Sequence, residues 1–365
     1  MRGEAGVEAG ARLLLRIDAT DDASKIWTSL PPPLNMSKRS HTLDGFFLPP
    51  AAKRARVEGC SEKTNLDERE AVQLNVVRLS EHAAYPFAIP HLPAGLCELL
   101  NFVPATDGRV IKDQPDLDLI YFQPYIPKNI ERDLFEFLRR ELFFYRVKYT
   151  VKRGPVETLI NTPRFTTVFG LDDTALFDGQ GAIVDVKSGK PVARNAYSCR
   201  PRPLPQCLDM LRVLTEGVTG CRFNFALVNY YASGSDSISW HSDDERFLGL
   251  EPAIASFSLG ASRDFLLKHK PIDASHLSEK VAMKLPLASG DMVLMKGLTQ
   301  SRWLHSIPKR KGGDADKGRI NITFRRAMVR GGTDNYYRYN VGDGEVYKWN
   351  NTAREMSVLT RAAKP

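Results

Sequence analysis

Residues 222–234 read "RFNFALVNYYASG". Phe223, Phe225, Leu227, Asn229 and Tyr231 fall on one side of an extended chain, and Asn224, Ala226, Val228 and Tyr230 on the other, because successive side chains of a strand point to opposite faces. Further strand-like runs follow: "SISWHSD" from 237, "AIASFSLG" from 253, "RDFLLKH" from 263, "VAMKLPL" from 281, "DMVLMK" from 291 and "RINITFRRA" from 319. Short strands with turn signals and no helix-length periodic segment between them predict an antiparallel sandwich or barrel-like roll. Upstream the period is helical. Ile130, Leu134, Phe137, Leu138 and Leu142 repeat at intervals of three and four, with Pro127 before them and Asn129 as the expected N-cap. A second helix is expected from about Pro205, with Cys207, Leu208, Leu211 and Leu214 on one side, ending at Gly217 or Gly220. Both are read as supports for the sheet.

The chain has 365 residues, 42% hydrophobic and 26% charged, enough for one large domain with appendages. No apolar run approaches the roughly 18 to 20 residues of a membrane span, so no membrane partner is expected. "ARLLLRID" near the N-terminus is too short and too acidic for a secretory signal. Cys60, Cys97, Cys199, Cys207 and Cys221 are odd in number and scattered, which argues against a disulfide framework or a zinc cluster and for a reducing compartment. A net charge of +8 suits a phosphate-bearing partner, although many soluble proteins are mildly basic.

Residues 1–62 lack sustained periodicity, contain "PPP" at 31–33, and read as a disordered tail. Within it "SHTLDGFFLPP" sets Leu43 three residues before the pair Phe46 and Phe47. That spacing resembles the sliding-clamp-binding box of replication and repair proteins, with Ser40 where the box carries glutamine; the plain alternative is an apolar accident in a tail. "KRAR" at 53–56 fits a nuclear-import cluster, so the expected location is the nucleus. Met36 opens a segment that runs straight into the box and would serve as an alternative start. Residues 63–116 read as an irregular segment packed on the core, 117–330 as the folded domain and 331–365 as a C-terminal extension.

His241 and Asp243, in "WHSDDE", are two apart, so on a strand they project from the same face and can share one ion. A borderline nitrogen and a hard oxygen suit a first-row metal such as Fe(II), and a second histidine would complete a facial triad. Downstream lie His269, His276 and His305. His305, following Trp303 and Leu304 shortly after the buried-looking "DMVLMK", is the best candidate. In "RINITFR" Arg319, Asn321, Thr323 and Arg325 share one face and Ile320, Ile322 and Phe324 the other. Two arginines pointing inward are costly to bury without anions, and a dicarboxylate would answer both; the bland reading is a solvent-facing basic strand.

"NYYASGSDSISWHSDDE", "SFSLGASRDFLLKH", "LASGDMVLM", "WLHSIP" and "RINITFR" together resemble the AlkB family of Fe(II)- and 2-oxoglutarate-dependent dioxygenases, most of all its DNA-repair branch. The resemblance covers about residues 117–327. It implies an α+β fold with a double-stranded β-helix (jelly roll) core. It implies Fe(II) bound by His241, Asp243 and His305, and 2-oxoglutarate bound by Arg319, Arg325, Asn229 and Tyr231. Asp244, Glu245, Arg164 and Tyr197 would meet the substrate, with Arg164 in "TPRFTTVFG" resembling part of the nucleotide-recognition lid. The implied activity is oxidative demethylation of bases such as 1-methyladenine and 3-methylcytosine in DNA, releasing formaldehyde and succinate, by a monomer. The region matching the duplex-probing finger, "YTVKRGPVETLIN", has no clear aromatic wedge, which leaves open duplex DNA, single-stranded DNA or RNA; the rival readings are the same oxygenase chemistry on RNA or a protein side chain, and a non-catalytic module that binds methylated nucleic acid. The tyrosines of the C-terminal extension are expected to pack on the roll.

Overall fold

The computed structural model describes residues 77–271, 283–337 and 344–359. The clamp-like box with Leu43, Phe46 and Phe47, the basic cluster at 53–56 and His276 lie outside the described residues.

Among the described residues two sheets face each other. The larger has ten strands in the spatial order Glu355–Val358, Val346–Asn350, Phe144–Tyr145, Phe165–Gly170, Phe225–Tyr231, Arg319–Arg325, Ile254–Gly260, Met292–Met295, Leu119–Phe122 and Arg109–Ile111. The smaller has four: Ile238–His241, Trp303–Ile307, Arg263–His269 and Met283–Leu287. This is the expected jelly roll. Alternation assigns each face of the large sheet. In Met292–Met295, Met292 and Leu294 pack with the helices, whereas Val293 and Met295 join Phe265, Leu267, Leu285, Leu287, Trp303 and Ile307 between the sheets.

The helices Glu131–Glu141 and Gln206–Thr219 cover the outer face, contributing Leu134, Phe137, Leu138, Cys207, Leu208 and Leu211 to the core that holds Val228, Tyr230, Ile320, Ile322 and Phe324. The second ends at Gly220, one of the two stops expected. The first is not capped by Asn129. Its N-cap is Ile130, with no side-chain hydrogen bond, and the Pro127 carbonyl accepts from the backbone of Ile130 and Glu131 instead; a tight turn satisfies those donors where a cap was expected. Among the described residues no helix is long and apolar enough to cross a membrane.

"FTTVFG" is not a lid. Phe165–Gly170 is a strand with every residue buried, paired to Phe225–Tyr231 deep in the large sheet. The strand Arg109–Ile111, from the stretch expected to be irregular, and the strands at 346–358, from the C-terminal extension, form the outer parts of the same sheet.

Candidate active site

The site lies between the sheets, where the smaller one delivers its ligands. His241, at the end of Ile238–His241, pairs directly with His305 in Trp303–Ile307, and their rings lie 4.2 Å apart. Asp243 comes two residues beyond the strand's end, so its placement does not depend on alternation. Its backbone N–H donates to Oε1 of the buried Gln300 at 2.9 Å, which turns the carboxylate back toward the histidines. Nε2 of His305 is 3.8 Å from Oδ2 of Asp243, and one donor atom from each of the three residues falls within 4.8 Å of the others. Among the described residues this is the only such cluster. His269 is elsewhere, its Nε2 3.1 Å from Asp116.

The electrostatics suit a cation. Burial pushes both imidazoles down, His305 to about 3 with the help of its neighbour His241, so both are neutral ligands at pH 7. Nδ1 of His241 donates to the Ser239 carbonyl at 2.8 Å, leaving Nε2 free as the ligand nitrogen. Burial works to raise the Asp243 carboxyl, but the charge of the Arg325 guanidinium and its hydrogen bond outweigh it and hold the group ionised. Arg325 Nη2 is 3.0 Å from Asp243 Oδ2.

Alternation in Arg319–Arg325 holds as read from the sequence. Arg319, Asn321, Thr323 and Arg325 face the space between the sheets, and all four are buried. Antiparallel pairing sets Tyr231 opposite Arg319 and Asn229 opposite Asn321. Arg319 donates through Nη2 to the Ser258 hydroxyl at 2.7 Å and lies over the Tyr231 ring at 5.2 Å. Its Nε and Nη1 are buried without a protein hydrogen-bond partner. Burial lowers its pKa to about 10. A guanidinium so placed asks for an anion.

A two-nitrogen, one-carboxylate triad beside an unsatisfied buried arginine is the layout of an Fe(II) oxygenase that takes a dicarboxylate. A model of the 2OG-Fe(II) oxygenase superfamily matches residues 118–325. The chain belongs to that superfamily. It is 43% identical over 130 residues to human "DNA oxidative demethylase ALKBH2", covering 35% of this chain and 49% of that protein. It is 32% identical over 228 residues to the Arabidopsis thaliana protein of the same name, covering 58% and 67%. To bovine "Alpha-ketoglutarate-dependent dioxygenase alkB homolog 3" it is 42% identical over 120 residues, covering 32% and 41%. These relatives set the oxygenase in the AlkB branch, and the chain spans about half the length of most of the mammalian relatives it matches.

The residues of the oxygenase fit both groups its family uses. His241, Asp243 and His305 offer the donor set for Fe(II), and the free Nε and Nη1 of Arg319 offer a seat for the distal carboxylate of 2-oxoglutarate. Asn229 is buried beneath this space, its Oδ1 accepting from Thr166 at 2.9 Å and from Arg164 Nε at 3.2 Å. Arg164, expected at the substrate, is thereby engaged with Asn229 and with the Ser237 carbonyl.

The other expected substrate residues separate. Asp244 is half-exposed and paired with Lys270 Nζ at 2.7 Å. Glu245 is held by the Tyr336 hydroxyl, which donates to Oε1 at 2.6 Å, while Oε2 is buried without a partner. Burial, then the nearby Asp243 charge, raises the Glu245 carboxyl. Tyr197 is buried in a small cluster with Leu171 and Ala175 and donates to Asp172 at 2.9 Å, so its ring is committed to packing. The finger region forms the hairpin Lys148–Arg153 and Val156–Asn161, with Val156 and Leu159 exposed. Gln300, Lys270 and Tyr336 escaped sequence reading. Gln300 stands five residues before the expected ligand His305, but Lys270 and Tyr336 carry no spacing signal.

Proposed function

We propose that the protein is a dioxygenase that removes alkyl groups from nitrogen atoms of DNA bases, of the 1-methyladenine and 3-methylcytosine type. The observation that carries the oxygenase reading is the conjunction of the His241–Asp243–His305 donors with the unsatisfied Nε and Nη1 of Arg319 in one buried space. The names of the relatives support DNA as the substrate. Fe(II) held by His241, Asp243 and His305, with 2-oxoglutarate seated at Arg319, would supply the oxidising chemistry: 2-oxoglutarate and dioxygen would give succinate and carbon dioxide as the second oxygen atom hydroxylates the N-methyl carbon, and the hydroxymethyl base would release formaldehyde.

The chain's own residues bind and orient. Ser239 fixes the tautomer of His241, Gln300 and Arg325 aim Asp243, and Arg319 reads the far end of the dicarboxylate. A base made cationic by methylation is attracted to the free Oε2 of Glu245 and to Asp244. The base must leave the stack to reach the donors, and a lesion that cannot pair is cheaper to flip. The net charge of +8 favours contact with a phosphate-bearing strand. Nuclear import through the cluster at 53–56 and clamp binding through Leu43, Phe46 and Phe47 belong to the same reading, as does action as a monomer.

The test is formaldehyde release from 1-methyladenine in single-stranded DNA, duplex DNA and RNA, with His241→Ala as the control. Release from DNA that the variant abolishes is expected. Release from methylated RNA alone, or undiminished turnover by His241→Ala, would overturn the reading.

A further inference from the structure

Tyr336 belongs to the C-terminal extension, outside the stretch 118–325 that the family model matches, yet its hydroxyl reaches the metal-ligand network. Arg325 can only donate hydrogen bonds and the carboxylates of Asp243 and Glu245 can only accept them when ionised. Arg325 Nη2 is 3.0 Å from Asp243. Its Nη1 donates to the Tyr336 oxygen, and the Tyr336 hydroxyl donates to Glu245 at 2.6 Å. A hydroxyl can accept from the first and donate to the second, so Arg325 donates on one side to Asp243 and on the other to Tyr336, which donates in turn to Glu245, and each contact pairs a donor with an acceptor.

The ring is held as firmly as the hydroxyl. It packs on Phe225 at 5.7 Å and meets Phe247 edge-on at 5.9 Å. The segment leading to it is pinned on both sides. Gly331 donates to Asp172 at 3.1 Å, and Asp334 accepts from the backbone and hydroxyl of Ser198 at 2.9 and 2.6 Å. Gly332 passes so close to Phe247 that an added Cβ would come within 2.7 Å of it. A tyrosine brought to one spot by contacts from four places in the chain, Asp172, Ser198, Phe225 and Phe247, does not arrive there as a loose tail.

We infer that Tyr336 is a positioning residue of the oxygenase site: its hydroxyl fixes Arg325, and through it the metal ligand Asp243, and turns Glu245 so that Oε2 faces the substrate. The second half of this role rests on the proposed function; the first half does not. Glu245 is the specificity group through which Tyr336 acts on the substrate, and Arg325 the group through which it acts on the metal.

The test compares full-length wild-type protein with Tyr336→Phe, which keeps the ring and removes the hydroxyl. Mn(II) affinity is measured by anaerobic titration, and KM and kcat with methylated DNA. Tyr336→Phe is expected to weaken Mn(II) binding several-fold and to raise KM for methylated DNA about tenfold, as expected for loss of one hydrogen bond to a charged group. In a Glu245→Ala background the effect of Tyr336→Phe on KM is expected to vanish, because the group it orients is gone. Tyr347→Phe, a tyrosine of the same extension whose ring packs on Phe165 and whose hydroxyl meets Glu345, should match wild type. Wild-type Mn(II) affinity and KM in Tyr336→Phe would overturn the inference, as would a tenfold KM effect that persists without Glu245. If the wild-type protein turns over no methylated DNA, the functional reading fails, and the Mn(II) titration still decides whether Tyr336 positions the metal ligand.

Discussion

Replacing Arg319 with methionine should make the protein more stable alone and less stable in the presence of cosubstrate. Alone, the guanidinium is buried with Nε and Nη1 unpartnered, and its pKa falls from 12.5 to about 10. The unfolded chain holds this proton more tightly than the folded one, so at neutral pH, where both states are charged, the fall corresponds to about 3 kcal/mol of destabilisation. Methionine is apolar and of similar length, and it removes that cost. It also strands the Ser258 hydroxyl, which accepts from Nη2 at 2.7 Å, so the net gain is about 1 to 2 kcal/mol. For a folded body of this size that raises Tm by about 2 to 8 °C. With 2-oxoglutarate at a hundred times its dissociation constant, wild type gains about 2.7 kcal/mol. A variant that binds about a hundredfold more weakly, having lost two charge-assisted hydrogen bonds, gains only about 0.4 kcal/mol at the same concentration. Thermal melts with saturating Mn(II), with and without 2-oxoglutarate, should therefore change order. An Arg319→Met protein that melts lower than wild type without cosubstrate, or that keeps the full 2-oxoglutarate shift, would refute the reasoning that this arginine waits for an anion.

Gly170→Ala should destabilise the fold by more than about 2 kcal/mol in urea titrations, because Gly170 has φ of +112° and an added Cβ would meet the Asn224 carbonyl at 2.2 Å; an unchanged midpoint would show that the strand pair can part. His82 should make stability fall as pH drops below about 6.5. Burial lowers its pKa in the fold, and its ring serves Gly181 and Ala84 as donor and acceptor. The unfolded chain therefore binds more protons between the folded value and 6.5, and the stability contributed by the neutral ring is lost as pH falls. The stability difference between wild type and His82→Gln should narrow from pH 7.5 to pH 5.5; a constant difference would remove His82 from the pH dependence. Changing Phe46 and Phe47 to alanine should abolish capture by immobilised sliding clamp without altering formaldehyde release, and capture that survives the change would rule out the box.

What could be read in advance was whatever depends on one strand at a time. The two faces of Arg319–Arg325 follow from alternation alone, and burial of Ile320, Ile322 and Phe324 on one side with Arg319 and Arg325 on the other agrees with that reading. Asp243 was found by the same rule for a reason the structure does not share: the strand stops at His241, and a hydrogen bond to Gln300 returns the carboxylate to the site. The lid reading of "FTTVFG" failed because a strand buried on both faces shows no alternation, and Phe165–Gly170 is buried throughout. Asn129 had the right residue type for a cap, but capping is decided by the φ and ψ of the turn, and the turn at Pro127 set the helix start one residue later.

Tyr336 shows where such reading must stop. Its hydroxyl is useful only because Arg325 and Glu245, which lie eighty residues apart in sequence, present a donor and an acceptor a few ångströms from each other. Register between Arg319–Arg325 and Phe225–Tyr231 fixes where Arg325 stands, and Phe225, paired with it, provides the surface on which the Tyr336 ring rests. The extension thus meets the site at a place created by strand pairing, and no periodicity within residues 331–365 could announce it. Two carboxylates so close in a buried space repel, and a single arginine can face only one of them directly. Passing its second hydrogen bond through a phenol lets one cation serve both, pairing directly with Asp243 while leaving Oε2 of Glu245 without a hydrogen-bond partner.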